Sequence, residues 1–151
     1  MWRGRTVSAL LAIAVFASCT ARREPGDLTV AQLFEKPLEF DGKRVAVIGY
    51  YKIGMEETTL YTSPGGECDH PPPGDIFTCS IWVSPGWRRG SRLTDQYVRI
   101  VGTFHYRPQF RREMLKRDDG REFESVTTLG YGHFGLHPAE LTHVTSFRPL
   151  R

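Results

Sequence analysis

"RVAVIGYY" (residues 44–51) and "YVRIVGTF" (residues 97–104) decide how this chain folds. Both are dense in β-branched and aromatic residues, a composition that suits a pleated, half-buried surface. They also echo one another: Val45-x-Val47-Ile48-Gly49-x-Tyr51 aligns with Val98-x-Ile100-Val101-Gly102-x-Phe104. A glycine at the same phase of two strands marks a place where each bends or bulges sharply, which closing a small barrel demands.

Working outward, "TTLYT" (58–62), "TCSIWVS" (78–84) and "LTHVTSF" (141–147) read as three further strands, the last with Leu141, Val144 and Phe147 only partly periodic. Ahead of them "LTVAQLFEKP" (28–37) predicts one brief helix. Thr29 caps it, Gln32 completes the capping box, Pro37 stops it, and Val30, Leu33 and Phe34 form its buried stripe. "PQFRREMLK" (108–116) is a second helical candidate. It lies within residues 107–124, whose six basic and five acidic side chains read as a solvated insertion. The expected fold is mainly β: a small five-stranded, partly open barrel with one short N-terminal helix.

The phrase "FEKPLEFDGKRVAVIGYY" (34–51) resembles the opening of OB-fold-like modules in bacterial exported proteins. "GHFG" (132–135) followed by "LTHVTSF" is similar to the closing segment of some small lipoproteins of that kind. The resemblance covers residues 28–62 and 95–147 in pieces. It implies an OB-like barrel with neighbouring first and fourth strands, and carries no assigned activity. The family's usual helix follows the third strand, whereas the helix expected here precedes the barrel.

The chain opens with "MWRGR" and continues with "TVSALLAIAVFA", about a dozen mostly apolar residues and too short for roughly 30 Å of hydrocarbon. This is a signal-peptide pattern. It ends in Phe16-Ala17-Ser18-Cys19, which resembles the lipobox of bacterial lipoproteins, with Phe16 where that family usually has Leu. The resemblance implies a diacylglyceryl thioether on Cys19, cleavage before it and acylation of the new amine; two or more acyl chains hold a membrane firmly. Thr20 rather than Asp behind the cysteine implies the outer membrane, facing the periplasm, in a Gram-negative host. An ordinary cleaved signal and an uncleaved anchor are the alternatives. The domain plan is signal peptide 1–18, tether 19–27 and a single barrel domain 28–151.

Cleavage changes the charge argument. Residues 1–18 carry Arg3 and Arg5 and no acid, so 18 basic and 17 acidic side chains remain of the original 20 and 17. The basicity that would favour nucleic acid disappears. Two cysteines also remain, Cys68 and Cys79, delivered to an oxidising compartment, so a disulfide around the Pro-rich "CDHPPPGDIFTC" is expected. Metal held by Cys68, His70 and Cys79 is the sharper alternative, lacking the paired spacing of structural zinc sites.

No nucleophile elbow, Walker loop or zinc-protease helix occurs. His133 and His137 have a ligand spacing only on a helix, which Gly132, Gly135 and Pro138 oppose, and His105 and His143 are further candidates that approach only in space. Glu56-Glu57 and Asp118-Asp119 are sequence neighbours and would face opposite ways on a strand. "SPGWRRGSR" (84–92) carries the hint of recognition: Trp87 with Arg88, Arg89 and Arg92 suits stacking on sugars or contact with acidic groups. The expectation is therefore a lipid-anchored cell-envelope binding or assembly module without catalysis, cofactor or metal. Its partners would be the membrane and an envelope protein or glycan, not nucleic acid. The alternative is a small envelope hydrolase or metal-binding protein using the histidines around 133–143.

Overall fold

The computed structural model describes residues 26–54, 58–69, 78–84 and 92–150. Strand β1 (Asp27–Thr29) leads into helix α1 (Val30–Glu35) and a single-turn helix α2 (Pro37–Phe40). Then come β2 (Arg44–Ile53), β3 (Thr58–Tyr61), β4 (Ser80–Val83), β5 (Gln96–Tyr106), β6 (Phe110–Lys116), β7 (Glu122–Thr128) and β8 (Ala139–Pro149).

Strands β2, β3, β4, β8 and β5 form a closed barrel, because β5 also pairs with β2. Counted along the chain, the circuit runs first, second, third, fifth, fourth and back to first. Only the β4–β8 pairing is parallel within it, so the barrel is mixed. This is the OB-like order, with the first and fourth strands adjacent. The barrel is closed rather than partly open. Leaving β2 at Lys52 and stepping through Thr59, Trp82, Glu140 and His105, the circuit returns to β2's start roughly ten residues earlier, a large stagger for five strands. Strands so strongly inclined must coil.

The echoed glycines sit where that coiling is tightest. In the β2–β5 ladder Val45 faces Gly102 and Gly49 faces Val98, so each glycine meets the other strand's matching valine. On the opposite edge of β2, β1 pairs with residues 46–48 and β3 with 50–53, and Gly49 stands at the handover. Gly102 lies where the β5–β8 register shifts between Val101 and Thr103. There β8 spends extra residues, with His143 at a φ of 47°. That irregularity explains the broken periodicity of the last strand. Leu141, Val144 and Phe147 are spaced by three, yet all pack on the core.

The interior is filled by Val45, Val47, Tyr51, Leu60, Ile81 and Phe104 with their neighbours, and the α1 stripe of Val30, Leu33 and Phe34 joins the same cluster. α1 has the expected capping box: the Thr29 amide donates to Gln32 Oε1 at 2.8 Å and the Gln32 amide donates to Thr29 Oγ1 at 3.2 Å. Pro37 stops α1 and, at the first position of α2, starts a second helix that the sequence did not announce.

One expectation is corrected and another is met. Residues 110–116 form a strand, not a helix, and pair with β7 along their whole length. The pairing turns the charged insertion into an ordered two-stranded ribbon standing apart from the barrel. Cys68 and Cys79 form the disulfide, with Cα atoms 5.4 Å apart. Both thiols are thereby removed from any metal site with His70, which lies outside the described residues. The bridge ties the segment after β3 to the start of β4.

Candidate binding surface

Between β7 and β8 the segment "LGYGHFGLHP" (129–138) folds over the outer face of β4 and β8. Tyr131 and His137 form an isolated antiparallel bridge, and the Gly130 amide donates to the Gly135 carbonyl at 3.0 Å. Gly132, at a φ of 72°, is required here. A Cβ on it would lie 2.5 Å from the Trp82 ring and 2.7 Å from the His137 ring. The close approach lets the loop sit directly on Trp82.

His137 is the pin of this arrangement. Its ring lies 5.4 Å from that of Trp82, and its Nδ1 is 2.8 Å from Ser80 Oγ, which in turn is 2.6 Å from Thr78 Oγ1. A serine hydroxyl beside an imidazole has the composition of a nucleophile–base pair. Ser80 is nevertheless fully buried (0 % exposed), so the pair holds the loop to the barrel and presents no nucleophile at the surface.

The loop displays what it does not bury. Phe134, at a φ of 60°, is 72 % exposed. Its carbonyl accepts from Thr128 Oγ1 at 2.6 Å, and its ring is 4.0 Å from that of His133. An aromatic residue in left-handed backbone costs conformational energy that its surroundings must hold. Leu136 and, on β7, Val126 are also exposed, and with Phe134 they line a shallow depression. Farther out, the ribbon exposes Met114, Leu115 and Phe123, with Arg117 over the Phe123 ring and Arg112 3.0 Å from Glu124.

Below the loop lies a polar cluster on neighbouring strands. Glu140 of β8 is flanked across the ladders by Trp82 and His105. Partial burial pushes its carboxyl above the usual range, against the opposing pull of His105, Ser84 and Arg107. Burial likewise raises Tyr131, whose ring lies under the Arg107 guanidinium at 4.9 Å. His105 and His143 do converge, each 3.1 Å from the hydroxyl of Thr142. Among the described residues no three His, Cys, Asp or Glu side chains are grouped to hold a metal ion.

The sequence-derived candidates divide accordingly. Cys19, Trp87, Arg88, Arg89 and the Glu56-Glu57 pair lie outside the described residues; Arg92 is exposed ahead of β5. His133 and His137 have different partners: the first sits edge-on to Phe134, the second is bonded to Ser80. Asp118 and Asp119 occupy the ribbon's turn, where hydrogen bonds from the Arg121 side chain and backbone hold Asp119 below the ordinary carboxylate range. Ser80 and Phe134 were not anticipated. Ser80 meets its partner 57 residues away, and only the alternating glycines of "GYGHFG" hinted at a constrained loop.

Comparison with protein-family models, with curated proteins and with solved structures found no match.

Proposed function

We propose that this chain is a lipid-anchored cell-envelope module that binds or helps assemble an envelope protein or glycan, without catalysis of its own. The observation that carries the reading is Phe134. A large aromatic held at positive φ by a braced loop, and left facing solvent, is a preorganised anchor, and such residues dominate binding energy where partners meet. The exposed apolar side chains of the adjoining ribbon support the same reading, since surfaces of this kind mark interaction sites. The lipobox-like end of the leader at Cys19 supports the address.

The hydrolase alternative draws on one observation, the Ser80–His137 hydrogen bond, and requires the loop to lift from Trp82 before a substrate could reach Ser80. The test is site-specific photocrosslinking in the intact host, with a benzophenone side chain at Phe134, at Trp87 and, as control, at exposed Lys52. A discrete adduct at Phe134 or Trp87 that is absent at Lys52 is expected. Adducts no different from those at Lys52 would overturn the binding reading.

A further inference from the structure

α2 is one turn long, and none of its side chains is fully buried, Phe40 alone packing against the core. Its Leu38 is 77 % exposed, the most exposed large hydrophobic side chain among the described residues. Leu38 and Pro37 face Tyr106 and Pro108 across an open, mainly apolar groove of about 700 Å³, rimmed by Lys36 and Arg107. Structure on both sides fixes the groove. The Tyr106 amide donates to Asp41 Oδ1 at 2.9 Å, and the Tyr106 ring packs edge-on against Phe34 at 6.1 Å.

The start of the described chain lies beside this shelf. Gly26, Asp27 and Leu28 border a neighbouring depression with Phe40, at the end of α2, and with Lys43 and Arg44. Only the short stretch from Cys19 separates Gly26 from the expected lipid. Fully extended, it reaches at most about 25 Å. The anchored chain therefore cannot carry this part of the barrel far from the bilayer. Side chains along it also suit an interface: a leucine and prolines for the apolar boundary, a tyrosine at its edge, and an excess of cations, Lys36, Lys43, Arg44 and Arg107 against Glu39 and Asp27, for the headgroups.

Resting on the anchor reading, we infer that the shelf formed by α2 and the β5–β6 connection lies on the bilayer surface, so that the lipid anchor and the Leu38 face together fix the barrel's orientation. The occupant of the groove is the lipid interface.

The test uses the full chain, purified from its host's membranes and reconstituted in phosphatidylcholine vesicles. A polarity-sensitive fluorophore is attached at Leu38→Cys in one sample and at Lys52→Cys in another; both positions are exposed, and Lys52 is near the far end of β2. The mass of the amino-terminal peptide is read on the same material. The expected result is acylated Cys19, a blue-shifted label at position 38 quenched several-fold more by a spin-labelled lipid than the label at 52, and aqueous emission at 52. Equal quenching at both positions on acylated protein overturns the inference and leaves the anchor standing. So does a label at 38 that is shielded from water without being quenched by lipid, the signature of a second copy or another protein on the groove. An unacylated Cys19 overturns the anchor reading and this inference with it.

Discussion

Replacing Gly49 by alanine tests the account of the barrel at its tightest point. A Cβ there would lie 2.7 Å from Leu60 Cγ, 2.7 Å from the Tyr61 carbonyl oxygen and 2.8 Å from Val30 Cγ2. Two of these neighbours are core side chains with nowhere to retreat, and the third is backbone. Gly49 has no left-handed φ, so the cost is steric and not conformational. Overpacking of this kind costs about 1–3 kcal/mol. Alanine would recover about 0.4–1 kcal/mol by restricting the unfolded chain. The balance is a loss of about 1.3 kcal/mol, which at about 4 °C per kcal/mol for a domain of this size lowers Tm by about 5 °C. Gly102 meets the Thr142 carbonyl oxygen at 2.8 Å but nothing else closer than 3.5 Å, so Gly102→Ala should cost less. Gly26 has nothing within 4 Å, and Gly26→Ala should stay within about 0.5 kcal/mol of the parent. Thermal and urea unfolding followed by circular dichroism, with the disulfide intact, gives the ranking. A Gly49→Ala protein as stable as the parent, or more stable, would refute the claim that close packing dictates these glycines.

Three further outcomes follow from buried groups. Tyr51 is fully buried with its hydroxyl unbonded, and burial pushes that hydroxyl up to about 12. Tyr51→Phe should stabilise the barrel by about 1 kcal/mol by removing an unmatched polar atom; a loss of stability in urea titration would contradict this. The Cys68–Cys79 bridge closes a loop of about 12 residues, so the double change Cys68→Ala/Cys79→Ala should cost about 2.8 kcal/mol, and reduction of the parent should match it in the same assay. For Glu140 the sign runs against the usual carboxylate. Burial raises its folded pKa, so the native state holds the proton more tightly than the unfolded chain, and stability falls as pH rises from the unfolded carboxyl value through the folded one. Glu140→Gln should therefore stabilise at neutral pH and change little in acid, and a variant destabilised at neutral pH would show that the pull of His105 and Arg107 outweighs burial.

What could be read in advance was local or repeated. The Thr29–Gln32 capping box is a four-residue signal, and the structure carries both of its hydrogen bonds. The paired echo of β2 and β5 marked where both strands coil, and the adjacency that the OB-like resemblance implied puts each glycine opposite the other strand's valine. The ribbon was misread for an identifiable reason. "FRREMLK" is rich in good helix formers, and nothing in that window alone opposes a helix. Its partner strand decides the matter, and the clue lay outside the window in Asp119-Gly120, where Gly120 takes a φ of 85° to turn the chain. The Ser80–His137 contact had no local signal at all. It exists because β4 runs parallel to β8, which places the loop ahead of β8 over the start of β4.

The two functional proposals constrain each other through the length of one strand. β5 begins at Gln96, just after exposed Arg92, and ends at Tyr106 on the α2 shelf. Ten residues of strand separate these ends, about 33 Å along its path. With the shelf on the bilayer, Arg92 and the start of β5 are carried away from it, while Phe134 stays on the loop that leads into β8 beside Tyr106. A partner reached through Phe134 is then membrane-proximal, and one reached through Arg92 is not. Crosslinks from positions 134 and 92 should accordingly fall on different molecules, or on opposite ends of one molecule long enough to span the barrel. Adducts from both positions to the same short segment of one partner would mean that the orientation, and not only the identity of the contact, has been read the wrong way round.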